Sequence, residues 1–304
     1  MARDVLTLIR ALARALSRER SGPQLAEVSA ALRGLGSPPD EQPPAEEPVF
    51  VLATGWRSGS TLLQRILCTD RRLLLWGEPF GRMALLPRLV EMVSGVSAGW
   101  PPPSYYIDRR PDEPLELSWI ANLFPPTEAF RAGLRALFDD WLARPARERG
   151  FTRWGFKEVR LGAAEALVLS WIYPRARFVV VTRDPRDAYR SLKASAPDWW
   201  VYARWPDQRI DCATSFARHW NRLAASWDGA SQELEPVRVR YEEMVAPGFD
   251  FAGLGEAIGL ELEPAGALAA RIGGTAGSAG LGALERWLIV RQARVGMRAM
   301  GYLP

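Results

Sequence analysis

Histidine occurs once in this chain of 304 residues, as His219, and cysteine twice, as Cys68 and Cys212. Two cysteines exclude a disulfide framework or a cysteine-type zinc site, and one histidine excludes a histidine-rich metal centre. Lysine is nearly as scarce: Lys157 and Lys193 stand among 39 basic residues, the rest arginine. No apolar run approaches the ~20 residues of a membrane span. The start has neither the long apolar core nor the small-residue cleavage site of a secretory signal. A cytoplasmic protein without membrane contact is expected, and the arginine- and alanine-rich usage suits a GC-rich bacterial genome. The formal charge of +4 and pI near 9.3 are mild. Without a like-charge run or an interleaved basic–aromatic stripe, they suit a polyanionic small ligand and no nucleic acid.

What the chain has is a short β-type run, Val49-Phe50-Val51-Leu52-Ala53, followed by Gly55-Trp56-Arg57-Ser58-Gly59-Ser60-Thr61-Leu62-Leu63. Small residues in the turn let backbone N–H groups converge. The apolar-periodic segment behind predicts a helix over 61–69, whose unsatisfied amides and positive dipole end face that turn. Strand, loop and helix in this order bind a phosphate or a group shaped like one. The cation, Arg57, precedes the second glycine, and no lysine follows Gly59. The G-x-x-x-x-G-K-[ST] nucleotide loop is therefore not matched.

A second β-branched run, Arg177-Phe178-Val179-Val180-Val181-Thr182, ends in Arg183-Asp184-Pro185-Arg186-Asp187-Ala188-Tyr189-Arg190-Ser191. Pro185 suits a first helical turn and Asp184 its N-cap. Arg183 then emerges at the carboxyl end of a strand, where open α/β sheets bind ligands. Ser191 follows about two helical turns later.

Together these segments resemble the sulfotransferases that use 3′-phosphoadenosine 5′-phosphosulfate (PAPS). The first loop of that family reads basic-Ser-Gly-[ST]-[ST], here Arg57-Ser58-Gly59-Ser60-Thr61, and the second pairs an Arg with a Ser eight residues on, here Arg183 and Ser191. The resemblance spans roughly residues 48–304. It implies an α/β fold with a central, mostly parallel sheet flanked by helices, over a domain at 47–304. Residues 1–46 are expected to form an N-terminal helical extension and a proline-rich linker.

The resemblance also implies roles. Arg57, Ser58, Gly59, Ser60, Thr61 and Leu62 hold the 5′-phosphosulfate, with Arg57 stabilising charge at the bridging oxygen. Arg183 and Ser191 hold the 3′-phosphate, and Tyr241, in Tyr241-Glu242-Glu243-Met244 at the end of a strand, lies near the adenine. Glu78, in Trp76-Gly77-Glu78-Pro79-Phe80, stands where the carbohydrate, tyrosylprotein and several bacterial branches place a general base. An ordinary glutamate, with a pKa of roughly 4.3, is ionised at neutral pH and can accept the proton of a hydroxyl. Lys157 matches a lysine facing the sulfuryl group, although Val159 stands where proline is usual. Its neighbour Glu158 points the other way along a strand, so a ligand anion is its expected partner. His219 falls outside the region of the family's histidine and is expected at a surface or core edge. No metal is implied, PAP is the product, and the acceptor is a hydroxyl of a small molecule, natural product or carbohydrate. A homodimer stays open.

Several features stay open between roles. The stripe Val5, Leu8, Ile9, Leu12, Leu16 and a second, Leu25, Val28, Leu32, Leu35, predict a helical hairpin packed on the main domain; a dimerisation or carrier-docking element is one alternative, and a basic amphipathic membrane anchor, its charge blunted by Asp4 and Glu19, is another. Trp199, Trp200, Tyr202 and Trp205 form either packing or a lid for an aryl or sugar acceptor. The glycine-rich stretch between Arg271 and Arg286 either closes over the 3′-phosphate or is a surface loop. Further helices are expected over 82–95, 127–147, 161–171 and 212–228, with strands at 154–157 and 237–241. The competing function is a small-molecule kinase, with Asp184 as its metal carboxylate; it lacks the lysine such an enzyme needs. A non-catalytic nucleotide-binding module is a third class.

Overall fold

Val49–Ala53 form β1, and all five side chains are buried. A strand that is apolar at every position must be covered on both faces, which the interior of a parallel sheet provides. In the computed structural model, which describes residues 25–36, 47–80, 83–95, 102, 125, 127–195, 210–270 and 280–303, β1 is the central strand of five. β3 (Arg153–Glu158) and β4 (Arg177–Thr182) flank it, with β2 (Leu73–Trp76) and β5 (Val237–Arg240) outside them. The order is β2-β3-β1-β4-β5, and every pairing is parallel. β2 was not legible in the sequence. It is an edge strand without β-branched residues, alternating buried and half-buried positions.

The helices fill the connections. α1 (Leu25–Gly34) precedes β1, and α2 (Ser60–Leu67) joins β1 to β2. Between β2 and β3 come α3 (Leu85–Ser94), α4 (Thr127–Phe138) and α5 (Arg144–Glu148); α6 (Ala163–Ile172) leads to β4. After β4 follow α7 (Pro185–Ser195), α8 (Ala213–Ser226) and α9 (Ser231–Leu234). Beyond β5 are α10 (Tyr241–Met244), α11 (Phe251–Ile258), α12 (Pro264–Ala269), α13 (Ala283–Gln292) and α14 (Arg294–Ala299). The single helix expected over 127–147 is interrupted by a π-helical turn at Asp139–Ala143. Pro145 explains this, because its ring cannot continue a regular ladder and is accommodated only at the start of α5.

Alternate β1 residues serve different cores. Phe50 and Leu52 join Phe156, Phe178 and Val180 under α6 and α8, whereas Val49, Val51 and Ala53 meet Leu63, Ile66 and Leu67 of α2. Phe50 anchors the aromatic side, with ring centroids 4.6 Å from Phe156 and 5.6 Å from Phe178. α1 covers part of that side through Val28, Ala31 and Leu32, and Trp171 Nε1 donates to the Gly36 carbonyl at 3.1 Å. The stripe at residues 5–16, the linker at 37–44, the aromatic cluster at 199–205 and residues 271–279 lie outside the described residues.

The chain leaves β1 toward β2 on the α2 face, and leaves β4 toward β5 on the opposite face. β1 and β4 are neighbours, so a crevice opens between their carboxyl ends, the topological switch point of such sheets. Hydrogen bonds tie the two tips together: the Thr54 amide donates to the Val181 carbonyl, and the Thr54 and Thr182 hydroxyls are 3.1 Å apart.

β3 can lie beside β1 only because Gly155 has no side chain. A Cβ there would meet the Val49 carbonyl oxygen at 1.8 Å, and neither backbone can move aside within a central pairing. Gly155→Ala is therefore expected to destabilise the protein by about 3 kcal/mol or more, read as a fall in denaturation midpoint.

Candidate functional site

Each of the five strands delivers one sequence-predicted residue or loop at its carboxyl end. In sheet order these are Glu78 after β2, Lys157 near the end of β3, the Arg57–Thr61 loop after β1, Arg183 after β4 and Tyr241 after β5. Parallel strands place all five at one edge, and adjacent strands are separated by only about 4.8 Å.

The loop after β1 reverses sharply. Gly55, Arg57 and Gly59 have φ of 112°, 63° and 88°, so the chain passes through the left-handed region three times. For Arg57 this is a strained conformation, found disproportionately where a backbone serves function. Gly59 is the N-cap of α2 and no side chain caps that helix, which leaves its first amides facing the crevice. A Cβ on Gly59 would lie 2.2 Å from the Tyr241 ring, so only glycine lets the ring pack against the loop. Ser58 Oγ is buried without a hydrogen-bond partner among the described residues. Ser60 is buried, Thr61 is exposed, and the Leu62 side chain is in the core under β1, leaving only its backbone for a ligand.

The two motifs meet across the switch point. Arg57 Nε donates to Ser191 Oγ at 3.1 Å, and Arg183 donates to the Arg57 carbonyl at 3.1 Å. The Arg183 guanidinium lies 4.3 Å from the centroid of the Tyr241 ring, which therefore sits between Arg183 and Gly59. Burial, and then the nearby Arg183 cation, lower the pKa of Arg57. Two guanidiniums held at one crevice, with buried Arg183 Nε and Ser58 Oγ unpartnered among the described residues, form a cradle whose chemistry fits an anion. Tyr241 itself opens the one-turn helix α10 and does not end β5 as expected from sequence.

Toward β2 the charges alternate. Lys157 Nζ donates to Glu78 Oε1 at 2.8 Å, and Arg160 reaches Glu78 Oε2 at 3.1 Å. The other arm of Arg160 donates to Glu158 Oε1 at 2.9 Å. Lys157 thus has a protein partner, Glu78, where the sequence pointed to a ligand anion; the two are brought together across β2 and β3. Glu158 is fully buried, and desolvation raises its carboxyl from 4.5 to about 7, opposed by Arg160 and reinforced by Glu78. Arg160 was missed in the sequence. The available signal was a second cation three residues after Lys157, on the loop leaving the same strand.

Trp56 connects the two halves. The Arg160 guanidinium lies 5.5 Å from its ring centroid, and the His219 ring lies 4.8 Å away at 33°. His219, expected at a surface or core edge, is 1% exposed and supports the loop from below. Burial, followed by the Arg222 charge, lowers its pKa well below the usual value and keeps it neutral. Asp184, the metal carboxylate of the kinase reading, accepts from the Arg186 amide at 2.8 Å as the N-cap of α7. It also forms a two-pronged pair with the Arg186 guanidinium. Arg286 is exposed on α13, where the neighbouring Glu285 ties that helix to α7 through Lys193 at 2.9 Å.

No curated protein matches the chain closely enough to narrow its activity. A model of the sulfotransferase family matches residues 48–264, well over half of the chain. That span contains all five strands, the loop after β1 and the Arg183–Ser191 pair, and on this match the chain belongs to the sulfotransferase family.

Proposed function

We propose that the protein transfers a sulfuryl group from PAPS to a hydroxyl of a small-molecule, natural-product or carbohydrate acceptor. The observation that carries this reading is the meeting of Arg57, Arg183 and Ser191 at the β1–β4 switch point, where two separated sequence motifs become one anion cradle. The donor, when bound, supplies an electrophilic sulfuryl group attached to a phosphate leaving group. Arg57 to Leu62 bind its 5′ end, Arg183 and Ser191 its 3′-phosphate, and Tyr241 borders the adenine. Guanidinium forks suit both anionic ends because they pair bidentately with oxyanions.

Glu78 is the general base in this reading. It takes the proton of the acceptor hydroxyl as the new S–O bond forms and the bond to the leaving phosphate breaks. Lys157 and Arg160 each hold one Glu78 oxygen, which orients the carboxylate. An ammonium has three donors, so Lys157 can keep Glu78 and still meet charge developing on a departing oxygen. Arg57 supports the same charge from the loop.

The kinase reading is disfavoured by the use of Asp184 as a cap and as the partner of Arg186. Metal independence, a cytoplasmic site of action and a bacterial source belong to the same proposal, the last supported by the lysine-poor composition. So does the division into a domain at 47–304 and an extension at 1–46.

Calorimetry with adenosine 3′,5′-bisphosphate tests the donor assignment. Tight binding is expected, and Arg183→Ala should weaken it about 10- to 100-fold, the loss of a charge-assisted contact. No heat with this ligand beside a normal titration of ATP–magnesium would sink the reading. Glu78→Gln should bind the bisphosphate as the native protein does and lose about 10²- to 10⁴-fold in turnover, measured with labelled donor on cell extract. Unchanged turnover would remove Glu78 as the base.

Glu158 provides a check on the charge cluster. Its carboxyl is raised from 4.5 to about 7 on folding, so its stabilising contribution is full below the lower value and lost as pH rises through the upper one. Relative to the non-titrating Glu158→Gln, the native protein should lose stability across that interval, seen in parallel thermal melts. A difference that does not vary with pH would contradict the burial assigned to this carboxyl.

A further inference from the structure

The C-terminal helices lie beyond the family match, yet the last of them returns to the donor edge of the sheet. α14 ends in a Schellman cap. Gly301 takes φ 72°, its amide donates to the Arg298 carbonyl at 3.0 Å, and the Tyr302 amide donates to the Met297 carbonyl at 2.7 Å. This reversal directs Tyr302 back over the tips of β4 and β5. α14 is held close against α8, because the Gly296 amide donates to Asn221 Oδ1 at 2.8 Å and a Cβ on Gly296 would lie 2.7 Å from Ala224 Cβ.

From that position a chain of hydrogen bonds reaches Arg183. The Tyr302 hydroxyl donates to Glu242 Oε2 at 2.9 Å, and Glu242 Oε1 accepts the Asp184 amide at 3.0 Å. The carbonyl of that same peptide unit, belonging to Arg183, accepts from Trp220 Nε1 at 3.1 Å. Both polar groups of the Arg183–Asp184 peptide are thereby held by side chains, which sets the direction in which the Arg183 side chain departs. Tyr302 is itself fixed by the Arg240 guanidinium, 4.5 Å from its ring centroid, and by the Trp220 ring at 6.2 Å.

We propose that Tyr302 is a positioning residue of the donor site: acting through Glu242, it fixes the Arg183–Asp184 peptide and so aims the Arg183 guanidinium at the 3′-phosphate. The proposal rests on the reading of Arg183 as the ligand of that phosphate. Its content is separate, since it makes residues outside the matched family domain part of donor recognition. A carboxylate held at both oxygens keeps one orientation. Without the hydroxyl, Glu242 keeps a single fixed contact and can turn toward Arg240 or Arg183.

Tyr302→Phe retains the ring and removes only the hydroxyl. Adenosine 3′,5′-bisphosphate and adenosine 5′-monophosphate, which lacks the 3′-phosphate, are titrated calorimetrically onto the full chain and onto this variant. The native protein is expected to prefer the bisphosphate. In Tyr302→Phe its affinity should fall about tenfold, as for one hydrogen bond to a charged group, while monophosphate affinity holds. Glu242→Gln should show the same selective loss, and the double variant should be no worse than either single one, because both act through one chain of contacts. Bisphosphate affinity unchanged in Tyr302→Phe, affinities for both ligands falling together, or additive losses in the double variant would overturn the proposal. A native protein that binds neither ligand, or binds both equally, would overturn the reading of Arg183 and this proposal with it.

Discussion

Two arginines of like charge, Arg57 and Arg183, are held at one crevice because the sheet leaves nowhere else for them. Helices depart from β1 and β4 on opposite faces, so the ground between those strand ends is open, and both residues sit at its rim. Burial lowers the pKa of Arg57, and repulsion from the Arg183 cation lowers it further. The fold compensates with a serine hydroxyl, a backbone carbonyl and an aromatic face. A doubly anionic ligand would complete the compensation. The left-handed turns at Gly55, Arg57 and Gly59 allow the backbone to make this approach.

On the β2 side the constraint is charge burial. A lysine and a glutamate almost wholly removed from water must have partners, since an isolated buried ion is strongly destabilising. Glu78, Lys157, Arg160 and Glu158 meet this requirement as an alternating row in which each cation bridges to a carboxylate. Trp56 links the row to the anion loop, with Arg160 on its ring and the neutral His219 stacked against it. Glu78 and the loop after β1 therefore share one scaffold. Removing Glu78 deprives Lys157 of its counterpart in the row, and removing Arg160 deprives Glu158 of its own.

How much of this was legible in the sequence depended on how local the signal was. β1 and β4 match the runs at 49–53 and 177–182 residue for residue, because buried parallel strands carry a continuous apolar stretch, Val49–Ala53 in one and Phe178–Val181 in the other. The Asp184 cap and Pro185 start of α7 were equally readable, since capping acts within a few residues. β2 was not: four residues at a sheet edge carry too little pattern. The single helix expected over 127–147 lacked the π turn, because a proline's demand on the preceding ladder shows only in three dimensions. The aromatic cluster at 199–205 and the glycine-rich stretch up to residue 279 lie outside the described residues.

Local pattern was enough to single out the two segments proposed to bind anions and the parallel α/β class that holds them. These follow from short-range physics: turn sterics, helix ends and strand burial act between neighbours along the chain. Tertiary structure alone decided that Lys157 belongs to Glu78, that Arg160 bridges two carboxylates, that His219 is buried beneath the loop, and that Tyr302 reaches the peptide behind Arg183. Each of these joins residues on different strands or helices, and long-range electrostatic pairing is set by where the sheet brings the chain together, which no local pattern encodes.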